Sequence, residues 1–269
     1  MKTDVIITDG HWRKSLAAVR GLGKEGIAAA VGESTRLATS RFSKYCRLAF
    51  VYPSPIYASS DFIDHMQKMV RRSNSRMLLP MEDQTLLLFS QHREEFSRWT
   101  YFPFASPEKL AFAGNKERVL QLAESKGIPI PKTWAVQSIS HLDGLIKGLP
   151  YPVVIKPKTG SGALGVSYIE RPEELKKRYL AVHKHYPYPL LQEYIPREGT
   201  GYGVSLLFDE NTSVKASFVH KRLREYPVSG GASTLRESVR YDAIREMAVS
   251  LLKALGWFGV AMVEFKIDP

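Results

Sequence analysis

Val153-Val154-Ile155-Lys156-Pro157-Lys158-Thr159-Gly160-Ser161-Gly162-Ala163-Leu164-Gly165-Val166 is a β-branched strand that ends on a lysine and runs directly into a glycine loop. A lysine on a rigid strand has little freedom left to lose and can aim one charge at phosphate oxygens. Read alone, Lys156 fits a surface strand lysine as well. The loop beside it changes that reading, because Gly160, Gly162 and Gly165 let backbone N–H groups approach an anion closely while Ser161 adds a hydroxyl. The loop is not a P-loop: no Gly-Lys-Ser/Thr follows and no helix opens after it. Pro150 to Glu170 therefore predicts two strands joined as a hairpin whose loop can fold over a ligand, a plain flexible hairpin being the alternative.

Three further stretches belong with this one. Upstream, Asn115 is a good N-cap for a helix that carries Lys116 and stops at Gly127. Downstream, Leu191-Gln192-Glu193-Tyr194-Ile195 is a mixed polar and apolar strand. An adenine could lie against its apolar side chains and bond its backbone at Tyr194 and Ile195, with the Glu193 carboxylate accepting from the exocyclic amine; an ordinary strand with one edge acid reads equally well. Near the end, Glu264 interrupts the apolar run Val260-Ala261-Met262-Val263-Glu264-Phe265. A carboxylate there is costly unless it is paired or bound to a cation, so Glu264 is either a magnesium ligand or the partner of a lysine.

The first hundred residues alternate strand-like and helix-like segments: Val5–Thr8, Trp12–Leu22, Ile27–Val31, a helix carrying Phe62, Ile63, Met66, Met69 and Val70, a strand end at Arg76–Pro80 and a helix over Thr85–Phe96. Such alternation predicts a parallel sheet covered by helices. Gly21-Leu22-Gly23-Lys24-Glu25-Gly26 matches the GxGxxG string of dinucleotide sites, but it ends a helix and leads into a strand, the reverse of the order that motif needs. These glycines are expected to serve a helix-ending turn. Phe102-Pro103-Phe104-Ala105-Ser106-Pro107 reads as a linker. The later chain predicts a charged helix over Glu173–Lys184, strands at Leu190–Tyr194, Gly203–Phe208 and Val214–His220, a helix with Ile244, Met247, Ala248, Leu251, Leu252 and Leu255 on one stripe, and a strand from Gly259 to Ile267.

Composition narrows the function classes. No apolar run approaches the roughly 20 residues that span a bilayer, and the first residues lack the apolar core of a signal peptide. Cys46 is the only cysteine, which excludes an intrachain disulfide and points to a reducing, cytoplasmic setting; no local signature marks it as a catalytic thiol. The net charge of +11 raises nucleic acid as a partner. The bases are nonetheless spread along the chain, with His220-Lys221-Arg222-Leu223-Arg224 the densest cluster, and no nucleic-acid-binding motif is present. An anionic small substrate accounts for the charge better. Oligomeric state is not legible, and a homo-oligomer stays open.

Taken together, Asn115-Lys116, Gly127-Ile128-Pro129-Ile130-Pro131-Lys132-Thr133, Val154-Ile155-Lys156-Pro157, the glycine loop, Gln192-Glu193-Tyr194-Ile195-Pro196 and Val263-Glu264-Phe265 resemble the ATP-grasp superfamily, in its carbamoyl-phosphate-synthase-like, carboxylate–amine ligase branch. The resemblance covers residues 106 to 269. It implies an α/β fold: a pre-ATP-grasp, Rossmann-like parallel-sheet domain at 1–105, then a two-lobed α+β domain with its first lobe and glycine loop at 106–190 and its second lobe at 191–269. It also implies ATP and Mg2+ as cofactors, held by Lys116, Lys156, Ser161, Gly162, Gln192, Glu193, Tyr194 and Ile195, with Glu264 on the metal. Catalytic roles fall to Lys156 and to Arg222, the latter within His220-Lys221-Arg222, which with Ser229-Gly230-Gly231-Ala232-Ser233-Thr234 resembles the acceptor region. His220 and Arg236 are lesser candidates there. The implied partners are a small carboxylate and a nucleophile. Two family features have no match: a Glu-x-Asn-Pro-Arg motif beyond the first metal carboxylate, so the second lobe reads as truncated, and a ribose-binding acid, for which Glu198 and Asp209 are the candidates. A nucleotide-binding module without catalysis is the rival reading.

Overall fold

The computed structural model describes residues 2–160, 164–196, 199–226 and 231–268. They form two compact units, 1–107 and 108–269.

In the first unit, β1 (Val5–Ile7), β2 (Ala29–Glu33), β3 (Cys46–Val51) and β4 (Met77–Leu79) make a parallel sheet in the order β3-β2-β1-β4. Alternation along the strands serves two cores. Val5, Ile7, Ala29 and Val31 pack with Val19 of α1 (Arg13–Lys24). Ile6, Ala30 and Leu78 pack on the other face with Phe62, Ile63, Met66 and Val70 of α2 (Ser59–Ser73) and with Phe89 and Phe96. Burial on both faces explains why these strands read as apolar runs and not as alternating ones. Gly26 takes φ +76° in the turn after α1, and a Cβ at Gly23 would collide with the Tyr45 ring. The GxGxxG string thus closes a helix against its neighbour.

Three differences from the expected elements have local causes. The helix expected over Thr85–Phe96 is broken into α3 (Asp83–Gln91) and α4 (Arg93–Ser97) at His92, whose backbone leaves the helical region while its ring bonds Glu95 at 2.9 Å. β3 is an edge strand of mostly half-buried residues with Arg47 in its middle, so it lacks the period of a core strand. The linker ends in a short helix, α5 (Pro107–Ala113), with Pro107 at its first position, where a missing N–H costs nothing.

The second unit carries two antiparallel sheets. One has the order β5-β8-β6-β7, from β5 (Thr133–Ala135), β6 (Val153–Lys156), β7 (Ser167–Ile169) and β8 (Leu190–Glu193). It extends to Glu193, past the expected lobe boundary at 190. Leu142 of α7 (Ile139–Leu145) and Leu175 and Tyr179 of α8 (Pro172–His183) cover the face that holds Val153, Ile155, Ile169 and Leu191. The other sheet has the order β11-β10-β9-β12, from β9 (Thr200–Phe208), β10 (Val214–Tyr226), β11 (Ala232–Ser238) and β12 (Gly259–Ile267). Its Val263 and Phe265 pack against α6 (Lys116–Ser125) and α9 (Asp242–Ala254). The opposite face of each sheet is left for chemistry.

Candidate functional site

Register decides which side chains meet. In the first sheet Val154 faces Gln192 and Tyr168 across the strands, and Lys156 faces Leu190. Alternation therefore puts Lys156, Gln192 and Tyr168 on the face away from the helices, and Glu193 on the other. Gln192 is buried, and its amide donates to Thr133 Oγ1 at 2.9 Å. The Glu193 carboxylate accepts the Lys132 N–H at 2.7 Å, which fastens β8 to the proline-rich stretch before β5. Tyr194 meets Tyr168 edge to face, 5.8 Å between centroids. Ser161 and Gly162 of the glycine loop lie outside the described residues.

Lys116 reaches this face from the start of α6. Asn115 caps that helix as expected, its side chain accepting the Arg118 N–H at 3.3 Å. The Lys116 N–H donates to Lys158 O at 2.7 Å, and its ammonium donates to Gly160 O at 2.6 Å. Lys158 pairs with Glu117 at 2.7 Å. The helix start and the segment after β6 are thus tied together by backbone and side chain, which holds two lysines forty residues apart on one spot.

A third lysine, which no local motif marks, arrives from the other sheet. Lys266 of β12 donates to Ile195 O at 2.8 Å and lies over the Tyr194 ring. Its only trace in the sequence is its place two residues after Glu264, on the same face of a strand. Burial first, then the charges of Lys116 and Lys266, lower the pKa of Lys156; burial also lowers that of Lys116. No carboxylate is paired with Lys156 among the described residues. Ammonium groups that converge oppose one another's charge, and a bound polyanion relieves that opposition.

On the second sheet, Glu264 faces Gly203 and Lys266 faces Gly201 across β9, while His220 of β10 faces Gly203 from the other side. The two glycines form a low floor. The His220 ring lies on Gly203, where a Cβ would come within 2.7 Å of Nε2, and the Arg222 side chain lies over Gly201. Arg222 is bonded to Glu264, and its Nη1 is 3.3 Å from Glu225 Oε1. Arg222 and Glu264, expected at the acid and the metal respectively, therefore hold each other. Among the described residues no group of three or more His, Cys, Asp or Glu side chains is placed to hold a metal ion. Glu264 supplies one carboxylate, enough for a cation that is otherwise held by water and phosphates and too few for an all-protein site.

Comparison with known proteins agrees with this architecture. D-alanine–D-alanine ligase B of Chromobacterium violaceum is 26% identical over 166 residues, 59% of this chain and 54% of that one. D-aspartate ligase of Enterococcus faecium is 24% identical over 88% of this chain and 61% of its own length. The chain thus spans a little over half the length of these curated relatives. A solved biotin carboxylase from Campylobacter jejuni, in complex with beta-gamma-ATP, superposes with a TM-score of 0.78 at 17% identity, over 99% of this chain and 63% of that one, a likeness of fold. The profile of the ATP-grasp domain matches residues 113–267, a span that contains both lysines, both antiparallel sheets and the glutamate on β12, and the chain belongs to the ATP-grasp family.

Proposed function

We propose that this chain grips ATP for a ligase that activates a carboxylate as an acyl phosphate, which an amine or another nucleophile then attacks. The observation that carries the reading is the convergence of Lys116 and Lys156 on one face beside Lys266, with the Lys156 pKa lowered by burial and then by the two neighbouring ammonium charges. In this reading Lys116 and Lys156 bind phosphate oxygens and offset charge as the γ-phosphoryl group moves to the acid. Ser161 and Gly162 are assigned to the same phosphates. Gln192, on the face of Lys156, and the backbone at Glu193, Tyr194 and Ile195 hold the adenine. Arg222 orients the acid. Glu264 is the carboxylate that would hold magnesium, which neutralises phosphate charge when bound.

We assign the nucleotide to the space between the faces of the two antiparallel sheets, read as the two lobes, and read the parallel-sheet unit as the Rossmann-like domain that accompanies them. The single cysteine supports a cytoplasmic location.

Calorimetric titration with ATP, with and without magnesium, tests the reading. Lys156→Ala is expected to weaken ATP at least about tenfold; unchanged affinity would remove the basis of the proposal. A second reading, a nucleotide-binding module without catalysis, is favoured by the engagement of Glu264 with Arg222. ATP binding with no ADP formed in the presence of bicarbonate or any D- or L-amino acid, with and without ammonia, would favour that module.

A further inference from the structure

The first unit carries a basic cluster that the nucleotide reading does not use. It lies at the end of the parallel sheet where β1 and β4 begin. There the Thr3 N–H donates to Ser73 O at 3.4 Å, the Arg76 N–H to Asp4 O at 2.9 Å and the Tyr101 N–H to Arg76 O at 2.9 Å. These bonds gather Lys2 before β1, Arg71 and Arg72 in the last turn of α2, and Arg76 before β4. The Arg71 guanidinium lies over the Trp99 ring, 5.0 Å from its centroid, which brings Arg98 to the same edge. All five basic residues are exposed, and none has an ion pair among the described residues. Trp99 is 52% exposed and Tyr101 44%. Two acids of the neighbourhood are engaged elsewhere: His92, at 2.9 Å, and Gln67 bond the Glu95 carboxylate, and the Asp4 carboxylate accepts the Ala28 N–H at 2.8 Å. Arg71 and Arg72 complement the carboxyl end of α2. Lys2 and Arg76 belong to no helix, so helix polarity does not account for the cluster.

We propose that this edge binds single-stranded nucleic acid, with the arginines on phosphates and the Trp99 ring against a base. It is a second binding function, independent of the nucleotide reading. Open parallel sheets hold small ligands at the carboxyl ends of their strands. This cluster stands at the amino ends, where a small substrate does not explain it. Like charges gathered without acids oppose one another, and a polyanion relieves them. Guanidinium forks match phosphate oxygens, and an indole with an arginine over it offers a flat surface for stacking. A nucleic-acid strand supplies phosphates and flat rings at every repeat; an acidic peptide or an anionic lipid surface supplies the charge alone. The side chains stand on segments already fixed by backbone hydrogen bonds, so little backbone has to be ordered on binding. They come from positions 2, 71–76 and 98–101, which no local motif can show.

Fluorescence anisotropy of a labelled oligouridine of about 20 nucleotides tests the proposal. The wild type is expected to bind at about 50 mM salt, with an affinity that falls steeply as salt rises. Arg71→Gln/Arg76→Gln/Arg98→Gln should weaken binding at least about tenfold and lower the salt slope by about 2, as expected for three lost phosphate contacts on a single strand. Lys177→Gln/Arg178→Gln/Lys184→Gln removes the same charge along α8 and its end, and should cost no more than about twofold. Trp99→Ala should cost at least about fivefold, and Trp99→Phe much less. Thermal melts report whether each variant is folded. Lys156→Ala, expected to bind as the wild type does, separates this edge from the ATP site. Absence of binding by the wild type overturns the proposal. So does an affinity that both triple variants lose equally, that Trp99→Ala leaves intact or that Lys156→Ala abolishes. Displacement of the oligouridine by poly-L-glutamate or by phosphatidylserine vesicles at equal anionic charge overturns it in favour of an acidic protein or a membrane.

Discussion

Lys156 releases its proton more readily than a free lysine because burial and two neighbouring ammonium groups oppose its charge. An anion that binds there reverses the balance and raises the pKa. ATP binding is therefore expected to take up a proton in the alkaline window between the lowered value of the free protein and the ordinary 10.5. Calorimetry in two buffers of different ionisation enthalpy measures this, and Lys156→Met should reduce it, leaving the share of Lys116. Uptake that is undiminished in the variant would assign the proton to another group. Gly203 gives a second expectation at this scale. A Cβ there runs into the His220 ring, so Gly203→Ala should cost about 1–3 kcal/mol in denaturant unfolding. Truncating the ring as well, in Gly203→Ala/His220→Ala, should recover much of that cost; simple additivity would mean that the two do not press on each other.

Elements differed in how openly the sequence announced them. The stripe Phe62, Ile63, Met66 and Val70 is buried in α2 as its period predicts, because one helix face meets one core. The break at His92 has no breaker residue to announce it; the His92 backbone leaves the helical region there while its ring meets Glu95. β3 was invisible because half-buried edge residues carry no clean alternation. Site residues divide in the same way. Lys116 and Lys156 sit in local patterns and could be read, whereas Lys266, and the facing of Arg236 on Arg222, exist only through strand pairing over long sequence separations. The placement of Gln192 and not Glu193 beside Lys156 likewise needed the pleat. In the parallel-sheet unit, Phe89 lies against Phe62, Phe96 and Phe102. Phe89→Ala should lower unfolding stability by about 3–5 kcal/mol, and a loss under 1 kcal/mol would show that the ring cluster relaxes around the gap.

At the scale of the molecule, each unit has its own sheets and cores. Residues 1–107 expressed alone are expected to unfold in one cooperative thermal transition with retained near-ultraviolet circular dichroism; a non-cooperative melt would show that this core needs the rest of the chain. The second unit holds one more consequence, in the bond between Arg222 and Glu264. On the proposed reading, a cation that draws Glu264 away would leave Arg222 with Glu225 alone and more open to an acid, and an acid that captures Arg222 would leave Glu264 open to a cation. Thermodynamic linkage makes the two effects equal in size. On that reading one ion pair couples two ligands, each arriving more tightly in the other's presence.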